Sequence, residues 1–243
     1  MAFIIFPMLG RSSRFYNAGY KCPKYMLKLG SNSVFSESVR SFEALFESDE
    51  FIFIVRKDGV TKSFITSEIL RLGIKNYKII EHLGETSGQA ESVMLAIAGC
   101  STEGQMIIFN IDTIRKGFTT PNVDEFGDGF LEVFEGSGDG WSFVEPKDSN
   151  SVLRTAEKKR ISNLCSNGIY GFLRISDFID AYNHYKNQGN DNSLEVYIAP
   201  LYNFLIKKGM DIRYRLVAVN LIEHCGIPAD YESLKQRYLK FPE

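Results

Sequence analysis

The chain has 243 residues, of which 44% are hydrophobic and 24% are charged. This composition is that of an ordinary globular protein and excludes a disordered, collagenous or coiled-coil chain. With 28 Lys and Arg against 30 Asp and Glu, the net charge is −2, so no global positive field favours nucleic acid or an anionic membrane as a partner.

Short apolar runs alternate with helical patterns through the first half of the chain. Runs with the length of buried strands are Ala2–Phe6, Phe51–Val55, Tyr77–Glu81 and Met106–Ile111. Helical spacing is found at Phe35, Val39, Phe42 and Phe46, at Phe64, Ile65, Ile69 and Leu72 before Gly73, and over Glu91–Ala98. This alternation of strand and helix predicts a parallel sheet with right-handed crossovers.

The second half has shorter strand patterns that are separated by Gly, Asp and Asn turns. Strands are predicted at Gly129–Glu135, Trp141–Glu145, Val152–Glu157, Gly168–Leu173 and Ile212–Val219. Helices are predicted at Ile175–Lys186, Leu194–Lys208 and Ala229–Leu239. No linker or repeat interrupts the pattern, so we expect one α/β domain over residues 1–243, with a mixed sheet covered by helices.

Cysteine usage and hydropathy indicate the compartment. The four cysteines include no C-x-x-C pair and only three histidines accompany them, which disfavours a structural zinc site. The N-terminus lacks a basic leader, and no apolar stretch reaches the roughly 18 residues of a membrane span. We therefore expect a cytoplasmic protein with reduced thiols and no membrane partner.

The first candidate site is the loop after the first predicted strand. Gly10, Ser12 and Ser13 form a turn of small residues, whose backbone N–H groups can wrap phosphate oxygens. Arg14 and Lys24 add two cations. An ordinary solvated turn explains the Gly-Ser stretch equally well, but a Pro-Lys pair ten residues later favours an anion site.

Several motifs together resemble the signature of the sugar-phosphate nucleotidylyltransferases, or nucleoside-diphosphate-sugar pyrophosphorylases. In chain order they are Gly10-Arg11-Ser12-Ser13-Arg14 with Pro23-Lys24, Gly84–Ser92, Ile107–Asp112, Glu157-Lys158 with Ser166–Tyr170, and Cys225–Tyr231. Each motif is short, but their order and spacing extend over most of the chain. The Ser12-Ser13 pair and the segment Glu195–Tyr202 most resemble members encoded in capsule or surface-polysaccharide clusters.

The resemblance implies a Rossmann-like three-layer sandwich with a mixed, mainly parallel central sheet. Residues 1–125 would bind an NTP, and residues 126–243 would bind a phosphorylated sugar, polyol or amino alcohol. The acceptor phosphate would attack the α-phosphorus and release pyrophosphate, in the synthesis of capsule or surface-polysaccharide precursors. CTP or dTTP is favoured because the Ser-Gly-Gln-Ala loop suggests a tight base site. A homodimer is compatible with this interpretation.

The matching motifs assign roles to individual residues. Arg14 would face the triphosphate, Lys24 would bridge the two reacting phosphates, and Asp112 would hold Mg²⁺. The implied nucleotide-binding residues are Leu9, Gly10, Arg11, Ser12, Ser13, Gly88, Gln89, Ala90 and Asn110. Glu157, Lys158 and Asn167 would bind the acceptor, and the rings of Trp141 and Tyr197 beside these motifs are expected to wall its pocket.

The sequence also departs from the family pattern. Ser12 stands where most members have Gly, and Leu9 where Ala is usual. The Asp that often precedes the terminal Gly-Thr segment is absent, which leaves Glu223 or His224 as candidate second metal ligands. Asp112 would then hold Mg²⁺ mostly together with phosphate oxygens and water.

Alternative interpretations remain open at this point. Asn110-Ile111-Asp112 is half of the Asp-x-Asp motif common in glycosyltransferases, which makes a glycosyltransferase that uses a nucleotide sugar on a related fold the alternative function. A non-catalytic nucleotide-binding module is a third hypothesis. Asp112 and Asn167 also suit turns, and Glu157 and Lys158 begin a charged run that suits a solvated turn.

Overall fold

The computed structural model describes residues 1–187 and 195–240. Its strands are β1 Phe3–Met8, β2 Lys28–Leu29, β3 Asn32–Ser33, β4 Glu50–Arg56, β5 Asn76–His82, β6 Met106–Phe109, β7 Thr113–Arg115, β8 Gly129–Glu135, β9 Ser142–Pro146, β10 Val152–Glu157, β11 Leu164–Phe172, β12 Ile212–Leu216 and β13 Ile222–His224. Its α-helices are α1 Ser13–Asn17, α2 Val34–Arg40, α3 Thr61–Leu72, α4 Gln89–Ala96, α5 Val123–Phe126, α6 Ile175–Asn187, α7 Tyr202–Lys207 and α8 Pro228–Lys240.

One mixed sheet of nine strands dominates the structure. Its order is β10-β9-β11-β6-β1-β4-β5, and β8 followed by β12 branches from β11. β1 is parallel to both β4 and β6, and β4 is parallel to β5. β11 runs antiparallel to β6, β8 and β9, and β10 antiparallel to β9, so every strand of this sheet except β10 and β11 points the same way. The predicted mixed, mainly parallel α/β sheet is confirmed.

Helices cover both faces of this sheet. Successive side chains of a strand point to opposite faces, so Ile5 of β1 packs with the layer of α4, α6 and α7, whereas Phe6 packs with α2 and α3. The aromatic excess fills this second face, where Phe6 lies 5.1 Å from Phe53 and Phe42 lies 5.1 Å from Phe109 between ring centroids. Burial of each such ring contributes about 1.5–3 kcal/mol. These two apolar layers produce the three-layer sandwich.

One helix is shorter in the structure than the sequence predicts. Its apolar pattern continues past the residue at which the helix ends, so the pattern predicts a longer helix. α2 stops at Arg40, and a 3₁₀ turn follows at Glu43–Leu45. At the break, the hydroxyl of Ser41 accepts the backbone N–H of Arg115 at 2.9 Å, a contact from a distant strand. Phe42 stays fully buried, so the helical spacing indicated burial correctly although the backbone changes type.

The helix predicted from Leu194 also differs, although Leu194 itself lies outside the described residues. An irregular segment leads to a 3₁₀ turn at Ala199–Leu201, and only then does α7 begin. Pro200 lacks an N–H and stands in the first turn of the 3₁₀ segment, where a missing donor is tolerated, so no α-helix runs through it from the preceding residues. The hydroxyl of Thr155 donates to the Ala199 carbonyl at 2.6 Å and fixes the chain at that point.

Six elements have no counterpart in the predicted pattern because they are too short to show a period. They are α1, α5, the antiparallel pair of β2 and β3, and the antiparallel pair of β7 and β13. The second pair is important for the site, because β7 follows Asp112 directly and β13 ends at His224. Across residues 1–187 and 195–240, no helix has both the length and the apolar character that a membrane crossing needs.

Candidate active site

Two adjoining cavities open at the carboxyl ends of β1 and β6, where an open α/β sheet places its ligands. The first, of about 450 Å³, lies between Leu9–Ser12, Arg56 and Gly88 and is here called the loop cavity. The second, of about 480 Å³, lies between Trp141, Glu157, Asn167 and His224 and is called the strand cavity. The walls of both include Lys24, Gln89, Asn110, Asp112 and Tyr197, so these residues form the boundary.

The loop after β1 is joined to the Pro-Lys motif by a hydrogen bond. Ser12 has a left-handed backbone with φ 52°, a conformation that favours glycine. Its hydroxyl accepts the backbone N–H of Lys24 at 3.2 Å. The departure from Gly at position 12 therefore supplies a contact that glycine lacks, and it fixes the position of Lys24 relative to the loop.

The short helix α1 is held against the C-terminal helix. Phe15 is buried and lies 5.3 Å from Tyr20 and 6.1 Å from Tyr231 between ring centroids. The Tyr231 hydroxyl donates to the Lys28 carbonyl at 2.8 Å. Through these contacts α8 positions α1 and its exposed Arg14, whose side chain lines the strand cavity.

Lys24 and Asp112 form an ion pair at the boundary of the two cavities. The Lys24 Nζ atom lies 2.5 Å from Asp112 Oδ2, and about a quarter of each side chain is exposed. Burial favours the neutral carboxyl group, but the charge and hydrogen bond of Lys24 outweigh it and lower the pKa of Asp112. Asp112 is therefore an anion at neutral pH.

The residues around Asp112 suit a metal that needs few protein ligands. Within residues 1–187 and 195–240, no group of three or more His, Cys, Asp or Glu side chains is arranged to hold a metal ion. Mg²⁺ commonly rests on one or two carboxylates together with substrate phosphates and water. The ionised Asp112, reached from both cavities, fits that requirement.

Of the two candidate second ligands, only His224 faces the site. Glu223 lines neither cavity, and its carboxylate binds Lys116 at 3.0 Å and Arg237 at 3.2 Å. His224 lines the strand cavity, and burial lowers its pKa, so its ring is neutral at pH 7. Its buried Nε2 atom has no hydrogen-bond partner among the described residues, but imidazole suits transition metals better than Mg²⁺.

The start of α4 is tied to β11 through Asn110. The Gln89 amide donates to Asn110 Oδ1 at 2.5 Å. Gly168 has φ +92°, and a Cβ atom there would lie 2.6 Å from Asn110 Nδ2. This close approach requires glycine, and it brings the predicted nucleotide side and acceptor side into contact.

The loop before α4 is clamped by the segment around Val196. The Val196 N–H donates to the Ser87 carbonyl at 2.6 Å, and the Val196 carbonyl accepts the Ala90 N–H at 3.0 Å. A Cβ atom on Gly88 would lie 2.5 Å from Val196 N, so this contact also depends on glycine. Ala90 is fully buried and takes part through its backbone.

Glu157 ends β10 beside the strand cavity, and Lys158 follows it directly. Burial raises the pKa of Glu157, which accepts a hydrogen bond from the Ser142 hydroxyl. Lys158 has a left-handed φ of 51°, and its Nζ lies 4.4 Å from the Tyr197 ring centroid. Burial, together with the hydrogen bond that Tyr197 donates to Glu195, raises the pKa of the Tyr197 phenol.

An aromatic wall stands at the far side of the strand cavity. The Trp141 ring lies 4.7 Å from His224 and 5.2 Å from Phe134 between centroids. Its indole N–H donates to the Ser137 carbonyl at 3.0 Å. The polar end of Trp141 is therefore satisfied, and the ring serves as an apolar surface.

The structure brings most of the predicted site residues together. In the loop cavity lie Leu9, Gly10, Arg11, Ser12, Lys24, Gly88, Gln89, Asn110, Asp112 and Tyr197. In the strand cavity lie Arg14, Trp141, Glu157 and Asn167 with the shared residues. Of the described residues predicted for the site, Ser13, Ala90 and Lys158 line neither cavity. Arg14 lies in the strand cavity rather than in the loop cavity.

The sequence analysis missed Arg56 and Asp230. Arg56 ends β4, lines the loop cavity, and donates from Nε to the Leu9 carbonyl at 2.8 Å. The rule that ligands bind at the carboxyl ends of parallel strands would have identified it, because it follows the predicted strand Phe51–Val55. Asp230, in the first turn of α8, lines the strand cavity; it lies within the motif Cys225–Tyr231, but no role was predicted for it from the sequence.

Comparison with known proteins extends these observations. No protein-family model matches the chain, and no curated protein matches it. A solved nucleoside-diphosphate-sugar pyrophosphorylase from Vibrio cholerae RC9 is 44% identical, covers 96% of this chain and 99% of its own, and superposes with a TM-score of 0.90.

Two more distant structures share the fold. The inositol-1-phosphate CTP transferase from T. maritima is 14% identical, covers 97% of this chain and 95% of its own, and has a TM-score of 0.75. A UDP-glucose pyrophosphorylase from Acinetobacter baumannii is 15% identical, covers 100% of this chain and 95% of its own, and has a TM-score of 0.74. At these identities the likeness concerns the fold alone.

Proposed function

Because the chain belongs to the nucleoside-diphosphate-sugar pyrophosphorylase family, we propose that it transfers a nucleotidyl group from an NTP to a phosphorylated small molecule and releases pyrophosphate. The observation that carries this proposal is the pair of adjoining cavities that share Lys24 and Asp112. In the proposed enzyme, residues 1–125 supply most of the NTP site, and residues 126–243 supply most of the acceptor site.

The chemistry needs alignment and charge neutralisation more than proton transfer. A phosphate nucleophile is already ionised at neutral pH, so the protein has to bring two anions together. Lys24 stands between the cavities and would contact both the α-phosphate and the attacking phosphate. Arg14, exposed on α1, lines the strand cavity and not the loop cavity, so it would neutralise charge on the acceptor phosphate rather than on the leaving pyrophosphate.

We place the magnesium ion of this reaction at Asp112. When bound, Mg²⁺ would stabilise charge on the phosphate oxygens. Asp112 would hold it, and Lys24 would turn from Asp112 to the phosphates. The backbone of Leu9 to Ser12 would line the phosphates, and the boundary residues Gln89 and Asn110 would contact the nucleotide.

We propose a pyrimidine nucleotide, CTP or dTTP, as the donor. The clamp of Val196 on the loop at Gly88 supports this choice, because a loop held through its backbone would not move to admit a larger purine base. The names of two structural neighbours, a CTP transferase and a UDP-glucose pyrophosphorylase, also refer to pyrimidine nucleotides. The acceptor would be a sugar, polyol or amino-alcohol phosphate used for capsule or surface-polysaccharide precursors in the cytoplasm, and the enzyme would act as a monomer or homodimer.

A pyrophosphate-release panel tests the proposal. ATP, GTP, CTP, UTP and dTTP are each combined with glucose 1-phosphate, glycerol 3-phosphate and phosphoethanolamine, with Mg²⁺ and with EDTA. We expect release with a pyrimidine nucleotide, dependent on both the acceptor and Mg²⁺. Folded protein that releases no pyrophosphate in any combination would contradict the proposal, and hydrolysis or transfer from a nucleotide sugar instead would favour a glycosyltransferase.

A further inference from the structure

A buried ion pair lies behind the strand cavity and is not part of either cavity wall. Arg115 and Glu132 are 2% and 0% exposed. The Arg115 guanidinium binds the carboxylate with two nitrogens, Nε to Oε2 at 2.7 Å and Nη2 to Oε1 at 3.1 Å. Removing two charges from water is costly, and such a pair adds little net stability compared with apolar residues. A role besides stability therefore has to be considered.

Besides a longer ion pair of its Oε1 with Arg215 Nε at 3.9 Å, Glu132 contacts a residue of the strand cavity. The Asn167 amide donates from Nδ2 to Glu132 Oε2 at 2.6 Å, and Asn167 Oδ1 accepts the backbone N–H of Ile169 at 3.1 Å. Both oxygens of Glu132 already accept hydrogen bonds from the Arg115 guanidinium, so the nitrogen of the amide has to face Glu132. In the reversed orientation, the amide oxygen of Asn167 would face the Glu132 carboxylate and the amide nitrogen would face the Ile169 N–H, so neither hydrogen bond could form.

Asn167 occupies an irregular stretch of β11. The register of β11 on β8 shifts between Ser166 and Tyr170. On its other side, β11 pairs with β9 as far as Cys165 and with β6 only from Ile169. Sheet hydrogen bonds therefore do not hold Asn167 on that side, and its side-chain contacts have to orient it.

Arg115 links the contact between Glu132 and Asn167 to the segment that carries Asp112. It ends β7, which begins immediately after Asp112. Its backbone N–H donates to the Ser41 hydroxyl at 2.9 Å, and its guanidinium also contacts the Lys116 carbonyl. The guanidinium is thus held between the Lys116 carbonyl and Glu132, and it presents N–H donors to both oxygens of the carboxylate.

We propose that Glu132 and Arg115 are positioning residues for acceptor binding: the buried pair locks the Asn167 amide in one orientation at the strand cavity. This inference rests on the proposed function. An amide nitrogen carries two hydrogens and an amide oxygen two lone pairs, so Asn167 keeps one of each for the acceptor. The orientation of the amide then decides which of them meets a given acceptor group.

The test compares Glu132→Gln with a matched surface variant. Glutamine keeps the shape but can donate, so the Asn167 amide is no longer held in one orientation. With the best of the three phosphate esters named above, we expect the acceptor KM to rise about tenfold or more, as for loss of a hydrogen bond to a charged group, while the NTP KM stays within about twofold. Glu145→Gln, which removes an exposed pair with Arg154, should leave both values unchanged.

A double-mutant cycle separates positioning from a merely structural effect. If Glu132 acts through Asn167, Glu132→Gln should raise the acceptor KM no further in an Asn167→Ala background. A purely structural role would instead lower the folded fraction, and with it kcat, without a selective change in KM. Additive effects in the cycle would overturn the proposal.

Asn167→Ala alone keeps the inference testable if Glu132→Gln does not fold. It leaves the Arg115–Glu132 pair intact and should still raise the acceptor KM selectively. An unchanged acceptor KM in folded Asn167→Ala protein would overturn the inference while the proposed function stands. If wild-type protein is inactive with every combination of nucleotide and acceptor, that result would instead contradict the proposed function.

Discussion

Lys24 and Asp112, 88 positions apart in the chain, meet at 2.5 Å between Nζ and Oδ2. Lys24 comes from the segment between α1 and β2 and Asp112 from the segment between β6 and β7, so the pair joins two segments that border both cavities. Any phosphate that binds Lys24, and any cation that binds Asp112, has to compete with this pair. The same contact thus contributes to stability and sets the cost of substrate binding.

Replacement of Lys24 by alanine should abolish most activity. The loss of a cation from between two reacting phosphates is expected to lower kcat/KM by about 10²–10³-fold. Lys28→Ala is the matched control, because Lys28 is exposed and lines neither cavity. Pyrophosphate release measures both variants, and similar activity in the two would exclude a special role for Lys24.

Asp112→Asn should change the pH dependence of stability. The pKa of Asp112 is lowered in the folded state, so the pair stabilises the fold above the unfolded pKa of about 3.9 and is lost as pH falls through the folded value. On acidification from neutral pH, wild type should therefore lose about 1–2 kcal/mol more free energy of unfolding than Asp112→Asn.

Urea unfolding at a series of pH values measures this difference. Asp124→Asn is the control, because Asp124 is exposed and lies outside both cavities, so its pH profile should match that of wild type. Parallel profiles for Asp112→Asn and wild type would show that the ion pair does not stabilise the fold. In the activity assay, Asp112→Asn should also need more Mg²⁺.

The sequence predicted the strands of the sheet well, because each is an apolar run whose burial does not depend on distant details. Helix ends were less predictable. α2 ends beside the Ser41 contact with Arg115, and α7 begins only after Pro200. The first contact depends on a strand far along the chain, whereas the restriction imposed by Pro200 is local and was overlooked.

Motif order also predicted which loops meet, since strands that run parallel end at one edge of the sheet. This rule indicated the loop that leads to Lys24, whereas Gln89 and Asp112 were assigned from the family resemblance. The Arg115–Glu132 pair could not be predicted from the sequence, because a charged residue within a strand pattern indicates an exposed position. Only the tertiary structure shows that these two charges are buried against each other.

Trp141 should report acceptor binding by its fluorescence. It is the single tryptophan of the chain, and it lines the strand cavity but not the loop cavity. Acceptor should therefore change the emission in a saturable way, whereas NTP alone should leave it nearly unchanged. Trp141→Phe should remove the signal and weaken acceptor binding several-fold, by about 1 kcal/mol, through lost ring contact. An emission change that follows NTP alone would contradict this placement.

Gly168→Ala should damage both stability and activity. Its φ of +92° disfavours a side chain, and the new Cβ would lie 2.6 Å from Asn110 Nδ2 and 2.8 Å from Asn110 Cγ. Gly138→Ala is the matched control, since Gly138 has φ +83° and a Cβ atom there would meet no atom of the described residues within 4 Å. The backbone effect alone should cost each variant about 1–2 kcal/mol in the free energy of unfolding.

The difference between the two variants isolates the crowding at Asn110. Gly168→Ala should lose about 1–3 kcal/mol more than Gly138→Ala, because Asn110 has to move. That movement would break the 2.5 Å hydrogen bond from Gln89 and should lower pyrophosphate release at least about tenfold, while Gly138→Ala keeps its activity. Equal losses of stability and activity in the two variants would show that the contact between Gly168 and Asn110 does not hold the two cavities in register.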